Sequence, residues 1–271
     1  MQRYKTKSGY TLAYEFKRPA SGGQILVFLH GLGGDYTAWD QVINELGNGK
    51  LGIVQVDLLS HGYSERYRED SELSIKLQAQ LVHELIDHLG VEKGIVIGHC
   101  YGGMVALQHE VDYPGFFRGM MLIASSCRLS PVGTGVFQNT VAQSLFSFMG
   151  NLIPGGFKKG HRDFSAYKGT RDFNLIRLLS DLRYTGLRSY MKLMGGVSRY
   201  NLCDRVGEIK IPVDIIGAEC DSIFPSETIG YLTQYLSTGS FIEIQGASHL
   251  VIFDTPDQVA ERINRFVSRF E

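Results

Sequence analysis

The residues Gly98-His99-Cys100-Tyr101-Gly102-Gly103 set one thiol among glycines, where the apolar run Gly94–Gly98 (GIVIG) passes into a helical pattern over Tyr101–Val111. Gly98 and Gly102 lack the side chains that would collide where a strand meets the following helix. The residue between them can therefore occupy a sharp, strained elbow. The pattern is G-x-C-x-G where the more familiar form is G-x-S-x-G, and cysteine suits the position. The N–H groups and dipole of a helix N-terminus favour a thiolate, which is the nucleophilic form. Such a nucleophile needs a base, an acid that orients the base, and donors for a developing oxyanion. The chain offers 8 histidines. His83 and His88 lie five apart on a helical pattern, a spacing that does not favour shared metal ligation, and are expected to face solvent. His109 and His161 sit in no motif, and His99 neighbours the thiol. His249 closes Gly246-Ala247-Ser248-His249, just after an apolar run and before the turn Phe253-Asp254-Thr255-Pro256. Glu219 and Asp221 flank Cys220 in GAECDSIFP, while Asp57 and Asp254 are lesser candidates for the acid that also read as turn or capping residues. No metal site is expected. The glycine-rich stretch after His30 lacks a P-loop lysine, and no G-x-G-x-x-G opens a helix, so neither a nucleotide nor any other cofactor is expected.

The elements that must position these residues alternate along the chain. Gln2–Thr6 and Tyr10–Phe16 are alternating segments separated by Lys7-Ser8-Gly9 and read as a hairpin. Six short apolar runs follow: Gln24–His30, Leu51–Asp57, Gly94–Gly98, Met120–Ala124, Val213–Gly217 and Phe241–Gln245. Continuous apolar runs of this length suit strands covered on both faces. Between them lie helical patterns at Tyr36–Leu46, Leu73–Leu89 and Tyr101–Val111, and Pro256–Phe270 closes the chain. The fold class is α/β, a mostly parallel central sheet flanked by helices. The alternation breaks between about Leu129 and Asp204, where helical patterns at Gly135–Phe148 and Asp172–Met194 surround the turn-rich Gly150–Gly160. The division expected is a core domain, 1–128 with 205–271, and a helical lid inserted at 129–204. A lid there closes over the carboxyl ends of the strands, where ligands of open α/β sheets bind. It supplies two apolar stripes, Phe137, Val141, Leu145, Phe146, Phe148 and Met149, then Leu178, Leu182, Tyr190, Met191 and Met194. From these, Phe137, Phe146 and Met191 join His30 and His99 as expected substrate-pocket residues.

Four features together resemble the α/β-hydrolase superfamily, and within it the lidded group of esterases, enol-lactonases and meta-cleavage-product hydrolases. They are the strand ending His30-Gly31-Leu32-Gly33-Gly34, the loop Asp57-Leu58-Leu59-Ser60-His61-Gly62-Tyr63-Ser64, the elbow, and the two segments holding Asp221 and His249. The likeness covers nearly the whole chain and is weakest in the insertion. It implies a catalytic triad of Cys100, His249 and Asp221, in the family's order of nucleophile, acid and histidine. Gly217-Ala218-Glu219-Cys220-Asp221-Ser222-Ile223-Phe224-Pro225 runs G-x-x-x-D-x-x-x-P and resembles the family's acid-bearing turn, which favours Asp221 over Glu219. It also implies an oxyanion hole from the backbone N–H groups of Leu32 and Tyr101. The departure is Cys100, where most relatives have serine. In that respect the chain is similar to dienelactone hydrolases and polyhydroxyalkanoate synthases, though the rest of it looks less like either.

The implied activity is cofactor-free hydrolysis of a small-molecule ester or lactone through an acyl-enzyme on Cys100. Acyl transfer to another acceptor, C–C hydrolysis and a non-catalytic ligand receptor remain open on the same constellation. Basic and acidic residues balance at 27 and 28, for a net charge of -1, so no footprint for nucleic acid or an anionic membrane is expected. No signal-like start or membrane-length apolar run appears. The 4 cysteines, Cys100, Cys127, Cys203 and Cys220, are far apart in sequence and are expected to be free thiols, which points to the cytoplasm. A bridge from Cys127 or Cys220 to Cys100 is the less favoured reading.

Overall fold

Alternating apolar runs and amphipathic segments fold into a single eight-stranded sheet with helices on both faces. The computed structural model describes residues 1–19, 22–47, 50–68, 73–129, 159–236 and 239–271. The strands are β1 (Gln2–Lys5), β2 (Thr11–Lys17), β3 (Ile25–Leu29), β4 (Gly52–Val56), β5 (Ile95–His99), β6 (Gly119–Ile123), β7 (Val213–Ala218) and β8 (Gly239–Ile244). Their spatial order is β1-β2-β4-β3-β5-β6-β7-β8. β1 and β2 form the antiparallel hairpin, β2 pairs antiparallel with β4, and every pairing from β4 to β8 is parallel.

The helices are α1 (Asp40–Glu45), α2 (Ile75–His88), α3 (Tyr101–Asp112), α4 (Leu175–Thr185), α5 (Leu187–Arg199), α6 (Ser226–Gly230), α7 (Val251–Asp254) and α8 (Pro256–Val267). The period-two geometry of β3 divides its side chains between two cores. Val27 and Leu29 pack with Leu81, Leu85, Met104 and Val105 from α2 and α3. Leu26 and Phe28 pack with Val42 of α1 and Ile263 and Phe266 of α8. Each such buried side chain contributes about 1.5–3 kcal/mol relative to exposure. That burial on both faces is why the central strands carry no polar alternation.

The strand order reverses at β3, whose parallel neighbours are β4 and β5. A crevice opens at such a switch point, beyond the carboxyl ends of the strands. The loop after β3 begins with His30, and the turn after β5 holds Cys100, so the fold brings the two together. This juxtaposition rests on topology alone.

Between β6 and β7 the described chain holds a 3-10 turn at Ser165–Tyr167, then α4, α5 and a second 3-10 turn at Cys203–Glu208. The single helical pattern expected over Asp172–Met194 is two helices. Asn174 caps the first by accepting from Arg177 N–H at 3.0 Å, and Gly186, with φ 82°, ends it. The neck of this insertion corrects the expectation of four free thiols: Cys127 and Cys203 form a disulfide across a sequence separation of 76. Their approach is set by backbone pairing, with Arg128 bridged to Asn201 and Leu202 N–H donating to Cys127 O at 3.0 Å. Cys100 and Cys220 are free. The pattern Gly135–Phe148, with Phe137 and Phe146, lies outside the described residues, as does Gly150–Gly160 up to residue 158. Among the described residues no helix is long and apolar enough to cross a membrane.

Candidate active site

Cys100 stands at φ 50°, ψ -114°, a left-handed conformation that a residue with a side chain adopts only under local constraint. The constraint is visible on every side. Cys100 N–H donates to Ile123 O at 3.0 Å, and Ser125 Oγ–H donates to Cys100 O at 2.7 Å. A side chain at Gly98 would meet the backbone of Gly102 and Gly103, and one at Gly102 would meet the carbonyl of Leu29. The two glycines flanking the elbow are therefore required by close backbone approach, as their spacing suggests. α3 starts at the next residue, so Tyr101 N–H belongs to the first turn, where no intrahelical acceptor exists.

His249 and Asp221 meet at the ends of β8 and β7. His249 Nδ1–H donates to Asp221 Oδ2 at 2.9 Å, both groups buried. Asp221 Oδ1 accepts from the N–H groups of Ile223 and Phe224, each at 2.8 Å. The carboxylate thus has three donors and is fixed in place. With Nδ1 committed, Nε2 is left for the Cys100 sulfur. Burial alone lowers the His249 pKa, but the charges of Asp221 and Cys100 and hydrogen bonds to both raise it well above the ordinary value. Glu219, the rival acid, turns away: it is exposed and accepts from Gly246 N–H at 2.8 Å. Asp254 accepts from Ser248 N–H and Oγ–H at 3.1 and 2.6 Å, the capping role expected of it.

His99 lies beside the base. Its Nε2–H donates to the carbonyl of His249 at 2.9 Å, and the two rings are 5.2 Å apart. Burial, then the neighbouring His249 charge, lowers its pKa to about 3, so it stays neutral. It lines the cavity. His30 does not, and here the expectation is corrected. Its Nε2 accepts from Leu58 N–H at 3.1 Å while Nδ1–H donates to Gly31 O at 2.8 Å. Both ring nitrogens are engaged in tying the loop after β3 to the loop after β4, and burial lowers the pKa to about 4. Met191 is a second correction: Tyr190 and Met194, four apart on one face of α5, line the cavity, and Met191 is rotated off that face. His83 departs from its expected solvent position by stacking on Tyr113 at 3.6 Å.

The cavity has a volume of 630 Å³ and is bordered by Leu32, Cys100, Tyr101 and His249 at its floor. Its remaining wall is largely apolar, with Phe164, Leu178, Tyr190 and Phe224 among its members. Tyr190 is pushed up by burial first and then by the charges of Asp181 and Cys100, which keeps its hydroxyl neutral.

Three charged residues of the insertion were invisible as motifs, and all touch this floor. Asp172 Oδ1 accepts from His249 N–H at 2.7 Å, while Oδ2 accepts from Ser222 N–H and Oγ–H at 2.7 and 2.6 Å. One buried carboxylate therefore fastens the His249 loop to the Asp221 loop. Arg162 donates to Asp181 Oδ1 at 2.6 Å and to the carbonyl of Gly33, next to Leu32. The only local hint is compositional, since Asp172 and Asp181 are rare acids in a basic stretch.

Asp35, Asp57 and His161 bring ligand atoms within 4.8 Å of one another. Their oxygens already have donors: Asp57 accepts from Tyr36 N–H, Tyr63 N–H and His161 Nε2–H, each at 2.8 Å. Asp35 accepts from Thr37 N–H and Arg162 N–H at 3.1 and 3.2 Å. Arg162 supplies a positive charge and His161 a donor where a cation would otherwise sit, so the cluster reads as a structural anchor.

Residues 26–262 match the Alpha/beta hydrolase family. An uncharacterized protein of Mycobacterium tuberculosis is 25% identical over 99% of this chain and 82% of its own. A thermophilic esterase from Thermogutta terrifontis superposes with a TM-score of 0.77 at 18% identity, covering 99% of each chain. The enol-lactonase from Burkholderia xenovorans LB400 gives 0.75 at 16% identity, over 98% of this chain and 100% of that one. Sheet order, elbow and family match agree, and the chain is a member of the alpha/beta hydrolase family.

Proposed function

We propose that the protein hydrolyses carboxylic esters or lactones without a cofactor, through a covalent acyl-enzyme on Cys100. The observation that carries this reading is the linked set Cys100–His249–Asp221 at the floor of an apolar cavity, with the His249 pKa raised by both partners. In such a set the histidine takes the proton of the thiol, and the thiolate is the nucleophile.

The reaction then runs in two halves. Cys100 Sγ attacks the ester carbonyl carbon, forming the C–S bond and moving the carbonyl π electrons onto oxygen. The backbone N–H groups of Leu32 and Tyr101 are suited to receive that oxyanion. His249 gives its Nε2 proton to the departing alkoxide, and the C–O bond breaks to leave a thioester. Water, losing a proton to His249, attacks the thioester carbonyl, and the acid leaves as the thiolate–imidazolium pair is restored. Asp221 stays ionised throughout and holds Nδ1–H, which fixes the ring's tautomer. Around this chemistry, residues 129–204 act as a lid, with α4 and α5 forming the acyl-binding wall.

Hydrolysis of small p-nitrophenyl esters before and after alkylation with iodoacetamide tests the reading. Loss of turnover in step with alkylation of Cys100 supports it. Full turnover by a protein whose Cys100 is completely alkylated overturns it. Acyl transfer shares the first half-reaction, and product analysis with an added alcohol or amine separates the two.

A further inference from the structure

Four large apolar side chains at the start of α4 stand in water. Phe173 and Ile176 are each 80% exposed, Leu175 is 70% exposed and Leu179 58%. Leu175 and Leu179 are four apart and Ile176 and Leu179 three apart, so they share one side of the helix. Scattered exposed apolar residues need no explanation, but a contiguous set of this size marks an interaction surface. The set is also the rim of the catalytic cavity, because Phe173 and Leu175 border it as well.

Charge identifies the partner. The overall balance conceals a segregation: residues 159–199 hold nine lysines and arginines against three aspartates, in a chain whose net charge is -1. Two of those aspartates, Asp172 and Asp181, are buried and already engaged with His249, Ser222 and Arg162. Exposed Lys168 and Arg171 precede the apolar set, and exposed Arg183 follows Leu179 by one turn on the same side. Among the described residues no carboxylate pairs with any of the three. An apolar stripe flanked by unpaired cations fits a layer with acyl chains beneath anionic headgroups. A second copy of the same face would set arginine against arginine, and a nucleic acid would leave the apolar stripe uncovered.

We propose that the face formed by Phe173, Leu175, Ile176 and Leu179 with Arg171 and Arg183 docks on the surface of an anionic lipid assembly. An ester whose acyl chain lies in that layer then crosses the rim directly into the cavity. This consequence for the substrate rests on the ester-hydrolase reading, whereas the docking does not. The full chain carrying Cys100→Ala, which cannot turn over, is co-sedimented with vesicles of phosphatidylcholine alone or mixed with phosphatidylglycerol. The expected result is binding to the mixed vesicles that weakens with salt. Arg171→Gln and Arg183→Gln should each weaken it about fivefold, and Ile176→Ser with Leu179→Ser about tenfold or more. Neither Ile176 nor Leu179 borders the cavity, so in the otherwise native chain these serines should leave hydrolysis of a short soluble ester unchanged. Equal binding to both vesicles, or binding to neither, overturns the proposal. So does a dimer in solution that Ile176→Ser dissociates, which would make a second copy the occupant. Binding by a protein inert towards every ester would instead sink the hydrolase reading and leave the docking intact.

Discussion

The backbone N–H of His249 donates to Asp172 Oδ1 at 2.7 Å, so the His249 loop is held from the stretch between β6 and β7 as well as from the sheet. Asp221 fixes the ring through its side chain; Asp172 fixes the loop on which the ring is mounted and ties it to Ser222, the residue after the acid. On the proposed mechanism, the stretch between β6 and β7 therefore reaches the chemistry through more than the cavity wall. Asp172→Ala removes three hydrogen bonds and leaves buried donors unpaired, at about 1–3 kcal/mol for each N–H. Displacing the ring by a fraction of an ångström is expected to lower kcat by about tenfold to a hundredfold with a smaller effect on KM. Asp172→Asn keeps an acceptor for His249 N–H and should fall between the two proteins. Ester kinetics, with the melting temperature as a check on folding, measure this; an unchanged kcat in a folded Asp172→Ala protein would remove the positioning role.

The charge state of His249 gives a prediction with a definite sign. Its folded pKa lies well above the ordinary histidine value of about 6.5. The stabilisation from its ion pairing is complete below that value and is lost as pH rises through the raised folded pKa. Asp221→Asn should flatten this loss, and Cys100→Ala should reduce it, because each removes a negative partner. His30 and His99 act in the opposite sense. Burial keeps them neutral down to about 4 and 3, so stability falls as pH drops from about 6.5 towards those values. Histidine ring titrations by NMR and urea unfolding at several pH values check both signs.

The disulfide at the neck of the insertion closes a long loop. Removing a constraint across a separation of 76 residues is expected to cost about 3–5 kcal/mol of stability. Cys203→Ser should lower the melting temperature by several degrees. Intact mass should show the oxidised chain two hydrogens lighter than the reduced one. Unchanged mass and melting on reduction would mean that the bridge does not form.

Much of this architecture is readable without coordinates, for reasons that differ from residue to residue. Six strands are legible as short apolar runs and the β1–β2 hairpin as two alternating segments, and all eight lie within a residue or two of their observed limits. Cys100 is legible because close backbone approach demands Gly98 and Gly102 in fixed register with it, and a short loop fixes His249 in the same way. Asp172, Arg162 and Asp181 are not legible, because their partners lie many residues away and no backbone turn forces a local pattern. The same holds for Cys127 and Cys203, whose approach is set by the pairing of Arg128 with Asn201. His30 was misplaced for a related reason. Its position beside the oxyanion loop suggests a pocket residue, yet Leu58 N–H and Gly31 O occupy both of its nitrogens. The overall charge balance averages over the chain, since a basic stretch between β6 and β7 and an acidic remainder sum to almost nothing.

The account stands on a bond between sulfur and an acyl carbon, and that bond has a mass. Intact-protein mass spectrometry after brief exposure to an activated ester, quenched in acid and followed by peptide mapping, should show one acyl group on the peptide holding Cys100. The adduct should persist longer in His249→Ala, where water lacks a base, and should be absent in Cys100→Ala. An ester hydrolysed at full rate with no adduct at Cys100, or with turnover retained in Cys100→Ala, would contradict the account.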